Sequence, residues 1–459
     1  MKVTEELLNK YNVPVPRYTS YPPANHFSGT FGERDFITML RESNGRRPEN
    51  IAIYIHVPFC KRICYYCGCN SCHIGTGSQV APYFRALERE IRLVSSYIDK
   101  SRAVSQVHFG GGTPNAVSFS YLENVIGLLR SEFSFAENPE IAIECDPASL
   151  DLSYVDSLIA AGFNRISFGI QDFNTGVLHL VNRRPPAVPP AILLKHVREA
   201  DHRIGVNFDF IYGLPGQTVE SFSDTIRMAA GVRPDRLVTF SYAHVPWVKK
   251  HQLILEKRGL PSAGEKTDMF LATHDIMTVA GYKPIGLDHF VLPSDDLYTA
   301  FTSGTLHRNF QGYCTRKTTG QVYAFGVTAI SQLEDGYSQN VKNITEYISL
   351  TERGILPVEK GFVLSGAQKL AKGVITDLMC NMQVSFPQTA SSCGADEDTL
   401  RRAVRIDPGM LHDLEDDGLI TFKDDEIRVT ETGSFFIRNI AAALDPEYTG
   451  TAGTYSKPV

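Results

Sequence analysis

The sequence lacks the features that would place the protein in a membrane, outside the cell or on a nucleic acid. No apolar run among its 459 residues approaches the length of a membrane span. The segment from Met1 to Glu6 is polar and has no apolar stretch of the kind found in signal peptides. The formal net charge is −6, which argues against a nucleic-acid or anionic-membrane partner. We therefore expect a cytoplasmic globular protein of two or three domains.

The nine cysteines do not look like a disulfide framework. Their number is odd, and five of them fall between residues 60 and 72. Such a distribution fits a reducing compartment, where thiols stay free to bind metals. The isolated cysteines are Cys145, Cys314, Cys380 and Cys393.

Three cysteines in one short segment carry the strongest chemical signal. In Cys60-Lys-Arg-Ile-Cys64-Tyr-Tyr-Cys67 the spacings are three residues and then two. Four cysteines would close all four irons of a cubane cluster, whereas three leave one iron open to a further ligand. The segment directly follows the apolar run Ile51–Phe59, which is typical of a buried strand. A CxxxCxxC loop after the first strand of a barrel resembles the cluster-binding loop of radical S-adenosylmethionine (SAM) enzymes.

Two other interpretations of these cysteines remain open. The three positions also have helical spacing, and a free cysteine is often a small buried hydrophobe. Pro58 before the segment and Gly68 after it favour a loop instead. A zinc site is the stronger rival, because Cys69 and Cys72 extend the group to five thiols. Structural zinc sites usually pair two separated C-x2-C knuckles or add histidine, and the sequence has no second, separated knuckle.

From about residue 50 the chain alternates between strand and helix patterns. Six βα units in a row predict the α/β class, with a parallel sheet inside and helices outside. That number suits a six-unit partial barrel better than a complete (β/α)8 barrel, and its site should lie beyond the carboxyl ends of the strands. The segment 285–365 gives no clear pattern. The predicted strands are 51–57, 105–109, 140–145, 165–170, 205–211 and 237–243. The first predicted helix carries an apolar stripe from Phe84 to Ile98. The other predicted helices are 118–133, 152–162, 190–203, 218–231 and 265–281.

The two ends of the chain differ in composition from this partial barrel, which we assign to residues 50–365. Residues 1–49 form an N-terminal extension, and its Pro- and aromatic-rich stretch Val15–Pro23 predicts an extended segment over the active site. Residues 366–459 resemble a winged-helix arrangement. Their acidic run Glu415–Asp417 would repel phosphate, so we predict a structural or lid domain and not a DNA-binding one. The elements predicted there are a helix at 367–381, a helix at 408–417, a hairpin at 419–430 and a helix at 431–443.

Several polar side chains follow the later strands of the predicted sheet. The segment Phe109–Pro114 contains three glycines, which let backbone N–H groups approach a ligand closely, although a tight turn would use them equally well. Glu144, Gln171 and Asp209 lie at or near the ends of three further strands. Carboxylates there are costly to bury unless they bind something, and ribose hydroxyls or an α-ammonium group are suitable partners. Any one of them could instead be a hydrogen-bonded structural group.

Short motifs along nearly the whole chain resemble one family of radical SAM enzymes. From about residue 10 to 445 the sequence is similar to the oxygen-independent coproporphyrinogen III oxidases. The CxC extension Cys67-Gly-Cys69 and the segment His307–Tyr313 (HRNFQGY) distinguish this family from related haem chaperones. The other motifs are Pro16–Pro22, His56–Cys60, Gly110–Pro114, Gly162–Arg165, Gln171–Phe173, Val181–Arg183, Ile211–Pro215, Tyr242–His244 and Asp288–Phe290.

The resemblance implies a radical oxidation in anaerobic haem biosynthesis. In that family three cysteines hold a 4Fe–4S cluster whose open iron binds SAM, and a donated electron cleaves SAM to methionine and a 5′-deoxyadenosyl radical. The radical takes a hydrogen atom from a propionate of coproporphyrinogen III, and loss of CO2 and one electron leaves a vinyl group. Two propionates react, which gives protoporphyrinogen IX. The protein's task is to position the reactants and to exclude water.

The resemblance also implies roles for individual residues. The CxxxCxxC cysteines would ligate the cluster, while Cys69 would stay unligated and relay hydrogen or electrons, or simply pack beside the cluster. Phe310 and Gln311 would belong to a catalytic loop over the active site. Two SAM molecules are implied. The first would contact Tyr54, Gly111, Glu144 and Ile330, and the second would contact Tyr66, Gly112, Thr113, Gln171, Arg183, Asp209 and Ala243.

Departures from the family pattern concern mainly the second SAM molecule. Tyr66 stands where the family often has Phe, so the stacking face is kept but the hydroxyl needs a partner. Prolines at 185, 186, 189 and 190 stiffen the segment after Arg183, and Cys72 is an extra thiol.

The partners implied by the resemblance are coproporphyrinogen III and a flavodoxin- or ferredoxin-type electron donor, with no nucleic acid and no membrane. The protein is expected to be a monomer. Arg17 and Arg308 are candidates for binding the substrate propionates, by motif alone. A haem chaperone on the same barrel, which binds haem and converts nothing, is the second interpretation, and a structural zinc protein is the third.

Overall fold

The N-terminal extension packs across the rest of the molecule. The structure, a computed structural model, describes residues 3–423, 425–450 and 455–457. The stretch Val15–Pro23 has neither helix nor strand, as predicted. Tyr18 and Tyr21 are buried within it, and their hydroxyls donate to Asp445 at 2.9 and 3.0 Å. Arg438 donates to the carbonyl oxygens of Val15 and Pro16. The extension also contains two helices for which the sequence has only weak periodic signals, α1 (Glu5–Tyr11) and α2 (Glu33–Ser43).

The six predicted strands form where the sequence places them, with boundaries that differ by a few residues. Two very short strands, which pair with each other, bracket the cysteine loop, so the loop prediction is confirmed and the helical alternative is wrong. The strands are β1 (Ile51–Val57), the short β2 (Phe59–Cys60) and β3 (Cys72–His73), then β4 (Ala103–Gly111), β5 (Ser134–Cys145), β6 (Arg165–Gln171), β7 (Gly205–Tyr212) and β8 (Arg236–Ser241).

The helices between these strands follow the apolar periodicity of the sequence. In the first of them Phe84, Leu87, Ile91 and Val94 are buried against the sheet, because residues three and four apart share one helical face. The helices are α3 (Val80–Ser95), α4 (Phe119–Glu132), α5 (Leu152–Ala160), α6 (Thr175–Leu180), α7 (Pro190–Ala200), α8 (Val219–Val232), α9 (Leu253–Glu256) and α10 (Ala263–Val279).

The segment without a clear sequence pattern completes the sheet. It contributes a strand that pairs in parallel with β1, with Ile51 opposite Gln321 and Ile55 opposite Phe325. The structure therefore has seven adjacent parallel strands where the sequence predicts six. The elements are β9 (Lys283–Ile285), β10 (His289–Val291), α11 (Asp296–Thr302), β11 (Leu306–Asn309), β12 (Gly312–Thr315), β13 (Gln321–Phe325), β14 (Ile330–Leu333), β15 (Gly336–Asn340), α12 (Ile344–Glu352) and β16 (Val358–Val363).

Twelve strands form one open sheet, in the order β16-β15-β14-β13-β1-β4-β5-β6-β7-β8-β10-β9. In the part of the chain that the structure describes, β16 and β9 remain its two edges, so the parallel strands make a partial barrel and not a closed one. The carboxyl ends of the parallel strands face one side, where the cysteine loop leaves β1. No helix among the described residues is long and apolar enough to cross a membrane.

The C-terminal region has a hydrophobic core of its own, which also buries Val15, Tyr18 and Tyr21. It contains a three-stranded sheet in the order β17-β19-β18 and more short helices than the sequence predicts. The proposed domain limits at residues 49 and 365 stay predictions. The elements are α13 (Gly366–Asn381), β17 (Gln383–Ser385), α14 (Phe386–Ser392), α15 (Glu397–Arg402), α16 (Pro408–Asp416), β18 (Ile420–Lys423), β19 (Glu426–Val429), α17 (Glu431–Phe435) and α18 (Ile437–Leu444).

Candidate active site

A cavity of ≈ 540 Å³ extends from the cysteine loop into the interior of the partial barrel. With the exception of Tyr54, Phe310 and Ile330, every predicted site residue lines it. The structure thus brings together residues from eight separate segments, as the sequence predicts, while their individual roles stay predictions. The lining residues among those predicted are Cys60, Cys64, Tyr66, Cys67, Cys69, Gly111, Gly112, Thr113, Glu144, Gln171, Arg183, Asp209, Ala243 and Gln311.

The three exceptions do not form part of the cavity wall. The Tyr54 ring stacks on His108, which does line the cavity, with 5.9 Å between ring centroids. Phe310 and Ile330 pack against the same small apolar cluster, and Phe310 meets the Tyr337 ring edge-on at 6.2 Å. Their contacts to a cofactor or substrate therefore stay predictions.

One flank of the cysteine loop is held by the segment that follows α6. The Asn182 amide donates to the carbonyl of Ile63 at 2.8 Å, and Arg183 Nη1 lies 3.6 Å from Cys64 Sγ. The Tyr66 hydroxyl lies near Cys64 and Arg183, so it has polar neighbours in the cavity. The guanidinium of Arg183 is in turn paired with Asp146 at 3.1 Å.

The other flank is held by the segment that follows β8. Three of its side chains donate to backbone carbonyl oxygens of the cysteine loop, which fixes the loop without using its sulfur atoms. The donor and acceptor pairs are Lys249 with Cys69 at 2.7 Å, His251 with Cys67 at 2.9 Å, and Gln252 with Tyr66 at 3.0 Å.

The glycines after β4 are required by close packing inside the protein. The Gly112 amide donates to the carbonyl of Val57 at 2.8 Å, so the glycine turn lies against the end of β1. A Cβ atom on Gly111 would stand 2.6 Å from the His56 ring, and one on Gly112 would stand 2.6 Å from the Pro58 carbonyl oxygen. Gly111 also has a φ of +111°, which side-chain-bearing residues rarely adopt. The glycines are therefore needed for a tight turn, as the alternative interpretation expects. Both of them also line the cavity.

Two carboxyl groups on neighbouring parts of the wall differ in their protonation. Burial alone would raise the pKa of Glu144, but a hydrogen bond from His108 Nε2 at 3.0 Å, and its charge, hold that pKa below the ordinary value. Burial raises the pKa of Asp209 to about 7, although the Asn207 amide donates to it at 2.7 Å. Near neutral pH, Glu144 is therefore an acceptor, whereas Asp209 can also donate.

Deeper in the barrel the cavity ends on an ion-paired layer that the sequence reasoning missed. Glu140 accepts hydrogen bonds from Gln106 at 2.8 Å and from Arg165 at 2.7 Å. Arg236 donates to Asp295 at 2.7 Å, and Arg165 lies 3.9 Å from the same carboxylate. We call these five residues the floor. We call the cysteine loop, the strand-end groups Glu144 and Asp209 and the two arginines described next the upper cavity.

The signal for a polar barrel interior, which includes the floor residue Arg165, is present in the sequence as alternation of polar residues within strands. Arg165 and Ser167 in β6, and Asn207 and Asp209 in β7, are two residues apart and all line the cavity. Successive side chains of a strand point to opposite faces, so polar residues at every second position indicate a polar barrel interior.

Two arginines form a cationic wall beside the cavity, which we call the arginine pair. Arg308 donates to the carbonyl of Arg17 at 3.2 Å, stacks over the Tyr313 ring at 4.9 Å, and has a buried Nε without a hydrogen-bond partner. Arg17 is exposed and lines the cavity, and its guanidinium forms no hydrogen bond or ion pair with any described residue. The nearby carboxylate Asp288 is bonded at 2.7 Å to His289.

The comparisons with known proteins agree with this geometry. The model of the radical SAM superfamily matches residues 54–229. The oxygen-independent coproporphyrinogen III oxidase of Synechocystis is 40% identical over 97% of this chain and 95% of its own length. The Helicobacter pylori (strain J99) enzyme of the same name is 34% identical over 98% of both chains. A solved structure of the Escherichia coli coproporphyrinogen III oxidase, described as a radical SAM enzyme, superposes with a TM-score of 0.88 at 37% identity, covering 97% of this chain and 99% of that one.

The chain belongs to the oxygen-independent coproporphyrinogen III oxidase family. Membership of the radical SAM superfamily implies a 4Fe–4S cluster and SAM as cofactors. The zinc interpretation has no support in the geometry, because no three His, Cys, Asp or Glu side chains in the described ranges converge like the ligands of a single metal ion. Thiolates that bind different irons of a cluster need not converge in that way.

The surroundings of the three thiols fit cluster ligation. Cys60 Sγ lies 3.3 Å from the Thr113 hydroxyl, and Cys67 Sγ lies 3.5 Å from the Ser71 hydroxyl. A hydrogen bond from Cys69 lowers the pKa of Cys67 to about 5, whereas burial raises the pKa of Cys60 to about 11. Polar donors next to sulfur stabilise the thiolate that binds iron.

The extra thiol, Cys72, does not line the cavity. It packs on the main hydrophobic core and is half-buried. That position is typical of a structural cysteine.

Proposed function

We propose that the protein oxidatively decarboxylates two propionate side chains of coproporphyrinogen III to vinyl groups and so forms protoporphyrinogen IX in haem biosynthesis. Each propionate loses a hydrogen atom from its β-carbon, CO2 and one electron. The observation that carries the proposal is the cavity. It joins a three-cysteine loop to a pair of arginines that form no ion pair with any carboxylate in the described ranges. Relatives named for this oxidation match the chain over nearly its full length.

The cysteine loop and the walls beside it would hold the cofactors. Cys60, Cys64 and Cys67 would bind three irons of the cluster and leave the fourth for the amino and carboxylate groups of SAM. The bound cluster and SAM supply a carbon-centred radical that can remove a hydrogen atom from an unactivated C–H bond. The ionised Glu144 would orient SAM by hydrogen bonds, Gly111 would let SAM lie close to the chain, and the cavity would keep water from the radical.

We also propose a second SAM molecule in the same cavity. Its predicted contacts lie on the wall that runs from Arg183 through Gln171 to Asp209. Gln171 has a φ of +69°, an uncommon conformation for a residue with a side chain, and such strained positions cluster at ligand sites. The mixed donor and acceptor character of Asp209 near neutral pH suits the hydroxyl groups of a ribose.

The arginine pair would bind propionates of the substrate. Coproporphyrinogen III carries four carboxylates, and a guanidinium makes short charge-assisted hydrogen bonds to a carboxylate. Arg17 comes from the N-terminal extension, which supports the proposal that residues 1–49 cover the active site. We further propose that the protein is a monomer, that it takes its electron from a flavodoxin- or ferredoxin-type protein, and that it needs neither a membrane nor a nucleic acid.

The test is an anaerobic assay of the purified chain reconstituted with iron and sulfide. It receives SAM, a reductant, an electron acceptor and coproporphyrinogen III, and the porphyrins are separated after oxidation. We expect a protoporphyrin peak that is absent without SAM. SAM cleavage without any porphyrin product would contradict the proposed substrate, and tight haem binding under the same conditions would then favour a haem chaperone.

A further inference from the structure

The segment after β8 exposes apolar side chains beside the cysteine loop. Trp247 and Val248 are 61% and 65% exposed, and Leu253 and Ile254 are 45% and 36% exposed. Trp247 is also the only tryptophan of the chain. Among the described residues, the other large exposed hydrophobic side chains are dispersed over separate parts of the chain, namely Val13, Ile192, Met228, Val279 and Val363. Clustered apolar exposure marks a surface that binds something, whereas single exposed side chains are ordinary. We call residues 247–254 the tryptophan segment.

The tryptophan segment is in direct contact with the cysteine loop. Its three buried or half-buried polar side chains, Lys249, His251 and Gln252, supply the donors that hold the loop carbonyls. Gly68 and Cys69 of that loop are themselves exposed. A molecule that covers the tryptophan segment therefore lies beside the loop that carries the predicted cluster ligands.

The surroundings of the tryptophan segment are basic although the whole chain has a net charge of −6. Two carboxylates lie in this neighbourhood: Glu256 is bonded to His244 at 2.7 Å, and Asp151 lies near Lys61. A basic rim on an acidic protein attracts an acidic partner to this face and orients it. The cationic residues of the segment and its rim are Lys61, Arg62, Lys249, Lys250, Lys257 and Arg258.

We propose that the tryptophan segment and its basic rim form the docking surface for the electron donor, an acidic carrier protein with a flavin or iron–sulfur centre. The proposal rests on the proposed function, because that chemistry needs one electron from outside for each SAM cleaved. The carrier is oxidised by one electron and the cluster is reduced by one, and no covalent bond forms between the partners. Apolar centres with polar rims are typical of protein interfaces, and electron-transfer encounters use small ones.

The experiment compares two reductants on the same reconstituted chain. Formation of 5′-deoxyadenosine is measured without oxygen, driven either by dithionite or by photoreduced flavodoxin, an acidic carrier. The variant combines Trp247→Ser with Lys250→Glu, two exposed residues that hold no part of the loop. The matched control combines Val363→Ser with Lys342→Glu, which also changes one exposed apolar residue and one exposed lysine, near the opposite edge strand β16.

We expect the flavodoxin-driven rate of the variant to fall by about tenfold or more, since interfaces depend on a few central residues. The dithionite-driven rate should stay unchanged, and the control should match the wild type with both reductants. Added salt should slow the wild type only with flavodoxin. Because Trp247 is the only tryptophan, its fluorescence should also change when flavin-free flavodoxin is added.

Other outcomes would overturn the proposal. Equal loss with both reductants would mean that the segment only holds the cysteine loop. An unchanged flavodoxin-driven rate, or a wild type that accepts electrons from dithionite alone, would place the donor elsewhere. A tryptophan signal that responds to anionic lipid vesicles and not to flavin-free flavodoxin would identify a membrane surface. Absence of SAM cleavage with dithionite in the wild type would contradict the proposed function itself, whatever happens at the surface.

Discussion

The floor and the upper cavity differ in whether their charged side chains are paired. On the floor, Glu140 and Arg165 are joined at 2.7 Å, and Arg236 and Asp295 are joined at the same distance. In the upper cavity, Arg17 has no partner among the described residues. A buried charge is costly unless it is paired, and on the floor both carboxylates are paired with arginines, although Arg165 Nη1 has no hydrogen-bond partner of its own. In the upper cavity the Arg17 side chain is exposed and free to pair with an anionic ligand. The same barrel therefore contains paired charges that stabilise the fold and, in a different place, charges that are available to bind a ligand.

The pKa values of two carboxyl groups express the same contrast. Burial raises the pKa of Glu140, but the charges of Arg165 and Arg236 outweigh it and bring the pKa to about 2. In the upper cavity burial dominates, and the pKa of Asp209 is raised to about 7. An isosteric amide at each position should therefore have opposite effects on stability.

The largest expected effect is the loss of the cluster from the upper cavity. Cys64→Ser should lose both bound iron and SAM cleavage while the fold remains, because the oxygen of serine is a poor substitute for a thiolate ligand. Iron content, 5′-deoxyadenosine formation and circular dichroism measure the three quantities. Cys69→Ser is the matched control, which should keep its iron and lose turnover. SAM cleavage by the first variant, or iron loss from the second, would show that the ligands are assigned wrongly.

Glu140→Gln should remove the ion pair between Glu140 and Arg165 on the floor and leave substrate binding intact. Removing one partner of a buried ion pair costs about 3–5 kcal/mol, which should appear as a lower midpoint of urea unfolding at pH 7. Because the folded pKa lies below the ordinary value of 4.5, the stabilisation by Glu140 is present above pH 4.5 and is lost as the pH falls towards about 2. The difference between wild type and variant should shrink in that window. A large rise in KM for coproporphyrinogen would refute the separation of floor and site.

Arg308→Ala should do the reverse and weaken substrate binding with little loss of stability. A hydrogen bond to a charged group contributes about 1.5–3 kcal/mol, so KM for coproporphyrinogen should rise about tenfold to a hundredfold. Arg308→Lys keeps the charge and should recover part of this loss. SAM cleavage without substrate should be unaffected in both variants. If KM stayed at the wild-type value, the propionates would have to bind elsewhere.

The smallest expected effect is a gain in stability from Asp209→Asn in the ligand-free chain. The raised pKa means that folded Asp209 keeps its proton between its ordinary value of 3.8 and about 7, so stability falls as the pH rises through that range. An amide does not ionise, so the variant does not lose stability as the pH rises. It should be more stable than the wild type by about 1 kcal/mol or more at pH 8 but not at pH 4. Urea unfolding at both values measures it. Equal stability at pH 8 would mean that Asp209 is ionised without cost.

The sequence predicts the upper cavity better than the floor for a physical reason. The cysteine spacing and the glycines after β4 are local patterns, and each has few alternative explanations. The floor depends on which of two strand faces points inward, and the alternation of Arg165 with Ser167 becomes visible only when a strand is read for its polar residues. β13 was missed because no helix precedes it, so the βα alternation that reveals the other strands does not extend to it. Tyr54, Phe310 and Ile330 belong to motifs, but a motif does not say whether a side chain reaches the cavity.

The ties between the N-terminal extension and the C-terminal region have a consequence for how the protein is made. Val15 and Pro16 are held by Arg438, and Tyr18 and Tyr21 are held by Asp445, so the segment that carries Arg17 is not fixed until residues near 440 have been synthesised. The cysteine loop and the parallel strands leave the ribosome long before that, and domains generally fold in the order of synthesis. The nascent protein thus passes through a stage in which the barrel is folded and one wall of its cavity is still missing. During that stage the cavity beside the cysteine loop is open on the side that Arg17 later lines.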